Sequence, residues 1–136
     1  MNLDFDQQSY TVSGKLDTFS QLHVARKLAP AMPIIEGLID PRNADKDKGI
    51  LIVLMMSHIS DSDVEYVLKK CMSVVTRKGT DGRSTRILAQ NGDFMYDDIK
   101  LETMLALAVA VIDLNLGDFF RTALADMAKV SREAQS

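Results

Sequence analysis

Seven consecutive residues, Ile50-Leu51-Ile52-Val53-Leu54-Met55-Met56, carry no polar side chain at all. A helix with that run is apolar on every side, so it has to lie at the centre of a domain or against a partner. A chain of 136 residues and 15.1 kDa has room for one domain to enclose it. We therefore expect a single domain over residues 1–136, with 1–9 and 131–136 frayed. Hydrophobic residues at 46% and charged residues at 26% exclude intrinsic disorder for the body of the chain. Neither the Ile50–Met56 run nor the second apolar stretch, Met104 to Ile112, reaches the roughly 18 to 20 residues needed to cross a bilayer. Both are bounded by charge, at Lys48 and at Glu102 and Asp113. The acidic start, Met1 to Asp6, lacks the basic-then-apolar order of a signal peptide, and a single cysteine, Cys71, cannot form an internal disulfide. These features together predict a soluble intracellular chain with no membrane role.

The remaining elements follow from periodicity and punctuation. Tyr10, Thr11 and Val12 favour a strand, closed by a Ser13-Gly14 turn. Asp17 suits a helix N-cap with Gln21 nearby, and Phe19, Leu22, Ala25, Leu28 and Ala29 recur at helical spacing. Pro30 and Pro33 interrupt that helix, with a second piece over Ile34–Ile39. Asp40 to Asn43 reads as a turn, and Asn43 or Asp45 could cap a helix reaching about Ile59. Ser60 to Asp63 opens another helix, whose stripe is Val64, Val67, Leu68, Cys71, Met72 and Val75. Thr76 to Arg86 reads as a polar loop. Arg86–Gln90, the Asn91-Gly92 turn and Phe94-Met95-Tyr96 suggest a hairpin, and a small sheet could add the strand near Tyr10. A helix from Leu101 to Asn115 should stop at Gly117, with Asp118 capping a last helix through Lys129. The fold class expected is mainly α: about five helices with a minor β-hairpin or small sheet.

Chemistry is sparse. A Cys71–His58 pair is conceivable as nucleophile and base, but Cys71 falls on an apolar stripe, where a thiol packs as a small hydrophobe. His23 reads as a boundary residue of its helix. Asp61-Ser62-Asp63-Val64-Glu65 begins like a calcium loop, yet its sixth position is Tyr66 and its twelfth Met72. Helix capping accounts for these acids and for Asp93, Asp97, Asp98 and Glu102. No metal-ligand, phosphate-loop or nucleophile-elbow motif occurs, so no catalytic residue, metal or cofactor is expected.

Two kinds of surface remain. Six cations, Lys69, Lys70, Arg77, Lys78, Arg83 and Arg86, stand against Asp81 alone and give +5 over residues 69–86 in a chain of net charge −3. Such a segment could meet phosphates or an acidic protein. It has no aromatic residue to stack on bases, so Arg77, Lys78, Arg83 and Arg86 read first as a solvated basic loop, and nucleic acid is disfavoured. Eight methionines suit adaptable packing. Most of them, Met55 and Met56 included, fall on helix stripes where core filling is the simpler role. Met95 and Tyr96 in the turn region are the best exposed candidates for partner contact. Phe119-Phe120 could anchor a partner or seat the last helix.

Three stretches together carry a resemblance. Tyr10-Thr11-Val12-Ser13-Gly14-Lys15-Leu16 leads into Gln21-Leu22-His23-Val24-Ala25-Arg26-Lys27-Leu28-Ala29-Pro30. Asn91-Gly92-Asp93-Phe94-Met95-Tyr96-Asp97-Asp98-Ile99 is followed by Leu101 and Thr103-Met104-Leu105, and Asn115-Leu116-Gly117-Asp118-Phe119-Phe120 comes last. In this order, over about residues 10–120, they resemble the tail assembly chaperones of tailed bacteriophages and prophages. The resemblance implies a mostly helical, non-enzymatic assembly factor made in the bacterial cytoplasm and absent from the finished virion. It also implies two partners, a tape measure protein kept soluble and tail tube subunits recruited around it. Many members have a longer frameshifted form. Homo-oligomers are compatible with the apolar Ile50–Met56 run. The competing readings are a structural component of the tail or head–tail junction, and a small DNA-binding regulator using residues 69–86.

Overall fold

The computed structural model describes residues 2–12, 14–39, 42 and 49–135. Two short strands open the chain, β1 (Asn2–Phe5) and β2 (Gln8–Val12), followed by α1 (Thr18–Leu28), a 3-10 turn over Ala29–Ala31 and α2 (Met32–Ile39). Next come α3 (Gly49–Ser57), α4 (Asp61–Met72), β3 (Val75–Lys78), β4 (Ser84–Arg86) and α5 (Leu101–Gln135). The strands form one antiparallel sheet in the order β1-β2-β3-β4. The architecture is therefore mixed α/β, and the expectation of a mainly α chain with a minor hairpin is corrected.

The correction centres on residues 75–86. The supposed polar loop is a hairpin, and Val75 belongs to β3 rather than to the helix before it. Its polarity follows from its position. Thr11, Thr76, Lys78, Ser84 and Arg86 share the solvent face of the sheet, whereas Tyr10, Val12, Val75 and Arg77 point inward and are buried. The hairpin expected over 86–96 shrinks to a single bridge, Leu88 with Phe94. Its Asn91-Gly92 turn does form, with Gly92 at φ +90° and the Ala89 amide donating to the Asp93 carbonyl at 2.8 Å.

The helix starts follow the side chains that cap them. Asp17 accepts from the Ser20 amide at 2.8 Å, and the Gln21 amide side chain donates to the Leu16 carbonyl. Ser60 caps α4 by accepting from the Asp63 amide. Pro30 sits in the 3-10 turn and Pro33 in the first turn of α2, so the chain bends where the ring removes a donor. The turn and caps expected at 40–48 lie outside the described residues, apart from Arg42.

The C-terminal half departs furthest from the sequence expectation. Helices expected at 101–115 and 118–129 are one 35-residue helix, α5. Gly117 does not end it and Asp118 does not cap it. The Arg121 guanidinium reaches back to Asp113 at 2.8 Å and to Asp118 at 3.1 Å. A Cβ at residue 117 would collide with the Asp113 carboxylate, so glycine keeps the saddle between them open. The helix carries residues 131–135, and residues 2–5 are paired in the sheet. Within α5, Leu101–Ala123 is long and apolar enough to cross a membrane by length and composition, which corrects the expectation that no apolar stretch is. Leu107, Ala108, Val111, Ile112, Leu116 and Phe120 spend that apolarity on the core. They join Val24, Leu28, Val67, Cys71 and Met72 of α1 and α4 and Tyr10, Val12 and Val75 of the sheet in one buried cluster.

Candidate partner-binding surfaces

Part of the apolar surface that stays open lies along α4, while Phe19 and Leu22 of α1 and Leu101, Leu114 and Phe119 of α5 are exposed outside it. Val64 and Leu68 recur one turn apart on α4, Met104 faces them from the first turn of α5, and Phe94 closes the third side. The result is a groove of about 340 Å³ whose rim carries Asp61, Glu65 and Lys69. Phe94 at this wall and Met95 next to it in sequence are 43% and 60% exposed. Val64 and Leu68 also wall a deeper slot with Met55, Met56 and Leu105, lined by no polar atom. Its own space is about 20 Å³, roughly what one water needs, because the flexible methionine side chains fill it. Beside it, Val53 and Leu54 of α3 point outward. The run that is apolar on every side is thus not enclosed on all of them.

Phe94 and Met95 are held in place by polar contacts on a strap, residues 87–100. Ile87 and Leu88 are buried at its start. The Met95 amide donates to the Ile87 carbonyl at 2.8 Å, and the Tyr96 and Thr85 hydroxyls lie 2.5 Å apart. Arg77 grips the strap from the sheet, with two parallel hydrogen bonds to Asp98 at 2.6 and 2.9 Å. Its guanidinium lies 4.3 Å from the Tyr96 ring centre, a stacked arrangement that adds cation–π attraction. The Arg77 hydrogen bonds hold the Asp98 carboxyl below its ordinary value. At the far end of the strap, Asp6 in the β1–β2 turn meets Lys100 at 3.6 Å and the Thr103 hydroxyl at 3.5 Å.

A family model described as phage tail assembly chaperone protein, TAC, matches residues 8–128. The chain belongs to that family. No curated protein and no solved structure matches it. The matched span takes in the whole sheet except β1, the groove and most of α5, so the surfaces just described lie in the family's part of the chaperone.

The chaperone distributes the residues singled out in its sequence unevenly. Met95 and Phe119 are exposed, the latter at 57%, whereas Phe120 is 1% exposed and sits in the core. Its ring packs edge-on against Phe119, with centres 5.6 Å apart. Met55 is buried and Met56 half-buried in the slot. Tyr96 is half-buried and engaged through both its ring and its hydroxyl. The basic loop divides too: Lys78, Arg83 and Arg86 face solvent, while Arg77 is only 8% exposed and bound to Asp98. Burial pushes the Cys71 thiol up to about 12, which keeps it protonated at neutral pH, and His58 lies exposed. Among the described residues, no group of three or more His, Cys, Asp or Glu is placed to hold a metal ion. The acids expected to cap α4 also form ion pairs, Asp63 with Lys27 at 2.9 Å and Glu65 with Lys69 at 3.0 Å. Sequence reading missed the groove itself. The i, i+4 pair Val64 and Leu68 was legible as a stripe, but only the fold brings Phe94 and Met104 across from it.

Proposed function

We propose that this chaperone keeps a tape measure protein soluble by holding apolar helices of that chain in the α4–α5 groove, and that it helps recruit tail tube subunits around the complex. In this reading it acts in the cytoplasm of the bacterial host, without catalysis, and leaves before the virion is complete. Membership of the tail assembly chaperone family over residues 8–128 carries the reading. The groove supports it by shape. Val64, Leu68 and Met104 offer apolar walls on two helices and Phe94 a third from the strap, an arrangement into which an amphipathic helix can lay its i, i+4 and i+7 side chains. Met55 and Met56 beneath can yield to different side chains, as a repetitive helical client requires.

Co-expression with the tape measure protein of the same phage or prophage tests the proposal. We expect the client to become soluble and copurify with the chaperone. Phe94→Asp, which puts a charge at an exposed groove wall, should return the client to the pellet while leaving the chaperone folded. A client that stays insoluble with the wild-type chain and with any longer frameshifted form overturns the reading. Finding the chain in purified particles points instead to a structural tail component.

A further inference from the structure

The opposite flank of α4 carries a second cleft, of about 290 Å³, between the helix's last turns and the 88–92 turn of the strap. Three cations line it: Lys69, Lys70 and Arg86. Lys69 is paired with Glu65. Among the described residues, neither Lys70 nor Arg86 forms an ion pair with a carboxylate. Asp17 feels the charge of Lys70, but its oxygens are committed to capping α1 through Ser20.

The simplest structural role for these cations is to complement the carboxyl end of α4, where the Ser73 carbonyl accepts from Arg86 at 3.4 Å. That role is too small for them. A helix C-terminus presents about half a negative charge, and Asp17 offsets Lys70 in part, against two positive charges with no ion-pair partner among the described residues. A positive excess therefore remains at one cleft in a chain whose net charge is −3. Like charges converging in this way favour an anion between them.

We infer that the cleft binds a carboxylate-bearing peptide segment of a partner protein, with Lys70 and Arg86 meeting an Asp or Glu side chain and the half-buried Ala89 packing against an aliphatic neighbour. The walls select this chemistry over nucleic acid. The only aromatic ring lining the cleft, Tyr66, already has the Lys27 ammonium 4.8 Å and the Lys70 ammonium 5.8 Å from its centre. A stacking base would have to compete with both ammonium groups for that ring. The apolar side chains of Leu88 and Ala89 in turn offer a phosphate chain nothing. The cleft adjoins the groove at Lys69, which lines both, but Lys70 and Arg86 belong to the cleft alone.

The test is an amide chemical-shift titration of the full chain with an acetylated hexapeptide, Leu-Glu-Asp-Leu-Glu-Asp. Its amidated analogue, with Gln and Asn for the acids, and a ten-residue oligothymidylate serve as controls. We expect the acidic peptide to shift the amides of Tyr66, Ser73 and residues 88–92, with affinity falling about fivefold or more between 50 and 300 mM salt as screening tightens. Arg86→Gln, a change at an exposed side chain, should weaken binding about threefold, and Lys70→Gln with Arg86→Gln about tenfold or more. Equal shifts from the uncharged analogue, shifts centred elsewhere, or unchanged binding by the double variant with native amide dispersion would overturn the inference. Stronger shifts from the oligothymidylate at the same amides would overturn it in favour of a phosphate site.

Discussion

The helical layer and the 87–100 strap lie side by side on one core and are fixed by different forces. Along α1, α4 and the first two-thirds of α5, position is set by interlocking apolar side chains such as Val24, Val67, Leu107 and Phe120. The strap buries Ile87 and Leu88 at one end and rests Tyr96 and Ile99 partly on the core, and beyond Ala89 it adds directed contacts, from Arg77 to Asp98 and from Thr85 to Tyr96. Apolar packing tolerates no gap yet reaches many neighbours. A few strong hydrogen bonds fix one geometry and release it as a unit. The groove has one wall of each kind, with Leu68 and Met104 on the packed side and Phe94 on the latched side.

Truncating the core side should show the largest effect. Phe120→Ala, at a fully buried ring, should cost about 3–5 kcal/mol in denaturant unfolding. Its neighbour Phe119→Ala should stay within about 0.5 kcal/mol; equal losses at both would erase the distinction drawn between them. The strap comes next. Arg77→Ala removes two charge-assisted hydrogen bonds and the stacked guanidinium, a loss of about 2 kcal/mol. Hydrogen exchange should accelerate at the Met95 amide while the amides of α4 keep most of their protection. If protection falls evenly, the strap and the helices are one unit.

Acid should act on the same latch with smaller effect. Hydrogen bonds from Arg77, Lys27 and Ser20 depress the carboxyls of Asp98, Asp63 and Asp17 below their ordinary value of 3.8. A group lowered on folding contributes stability above its unfolded value and loses it as pH falls through its folded one. Melting temperatures should therefore hold from pH 7 to about 5 and decline below about 4. Asp98→Asn should lower the plateau and flatten that decline; a variant with the wild-type slope would remove Asp98 from the acid response. The smallest expected change is a gain. Asp6 and Gln7 turn between β1 and β2 with φ of 50° and 65°, a region that side chains resist. Gln7→Gly should relieve that strain and stabilise by about 0.5 kcal/mol, measured by chemical denaturation.

The parts of the fold legible in sequence were those encoded within a few residues. Asp17 and Ser60 are local caps, Pro30 and Pro33 are local breaks, and Val64, Val67, Leu68, Cys71 and Met72 repeat within one helix. The sheet was hidden because β3 owes its strand to β2, 65 residues earlier at Thr11 and Thr76, and because its outer face is hydroxyls and cations. Arg77 looked like one more solvated charge since Asp98, 21 residues on, gives it a different role. Gly117 looked like a stop because glycine commonly ends helices; here its missing side chain leaves room for Arg121 to reach Asp113. The candidate surfaces were half legible. Met95 and Phe119 stood out from sequence, while Phe94, Lys70 and Arg86 take their meaning from neighbours that only the fold supplies.

At 1.5 Å per residue, the 35 residues of α5 make a rod about 52 Å long. Along its length it takes hold of the Asp6 turn through Thr103, one groove wall through Met104 and the entry to α1 through Asn115, whose side-chain amide oxygen accepts from the Leu16 backbone amide at 2.9 Å. These three attachments share a single axle. Under the proposed function, a client helix seated against Met104 would load the same shaft that carries the first hairpin and the start of α1.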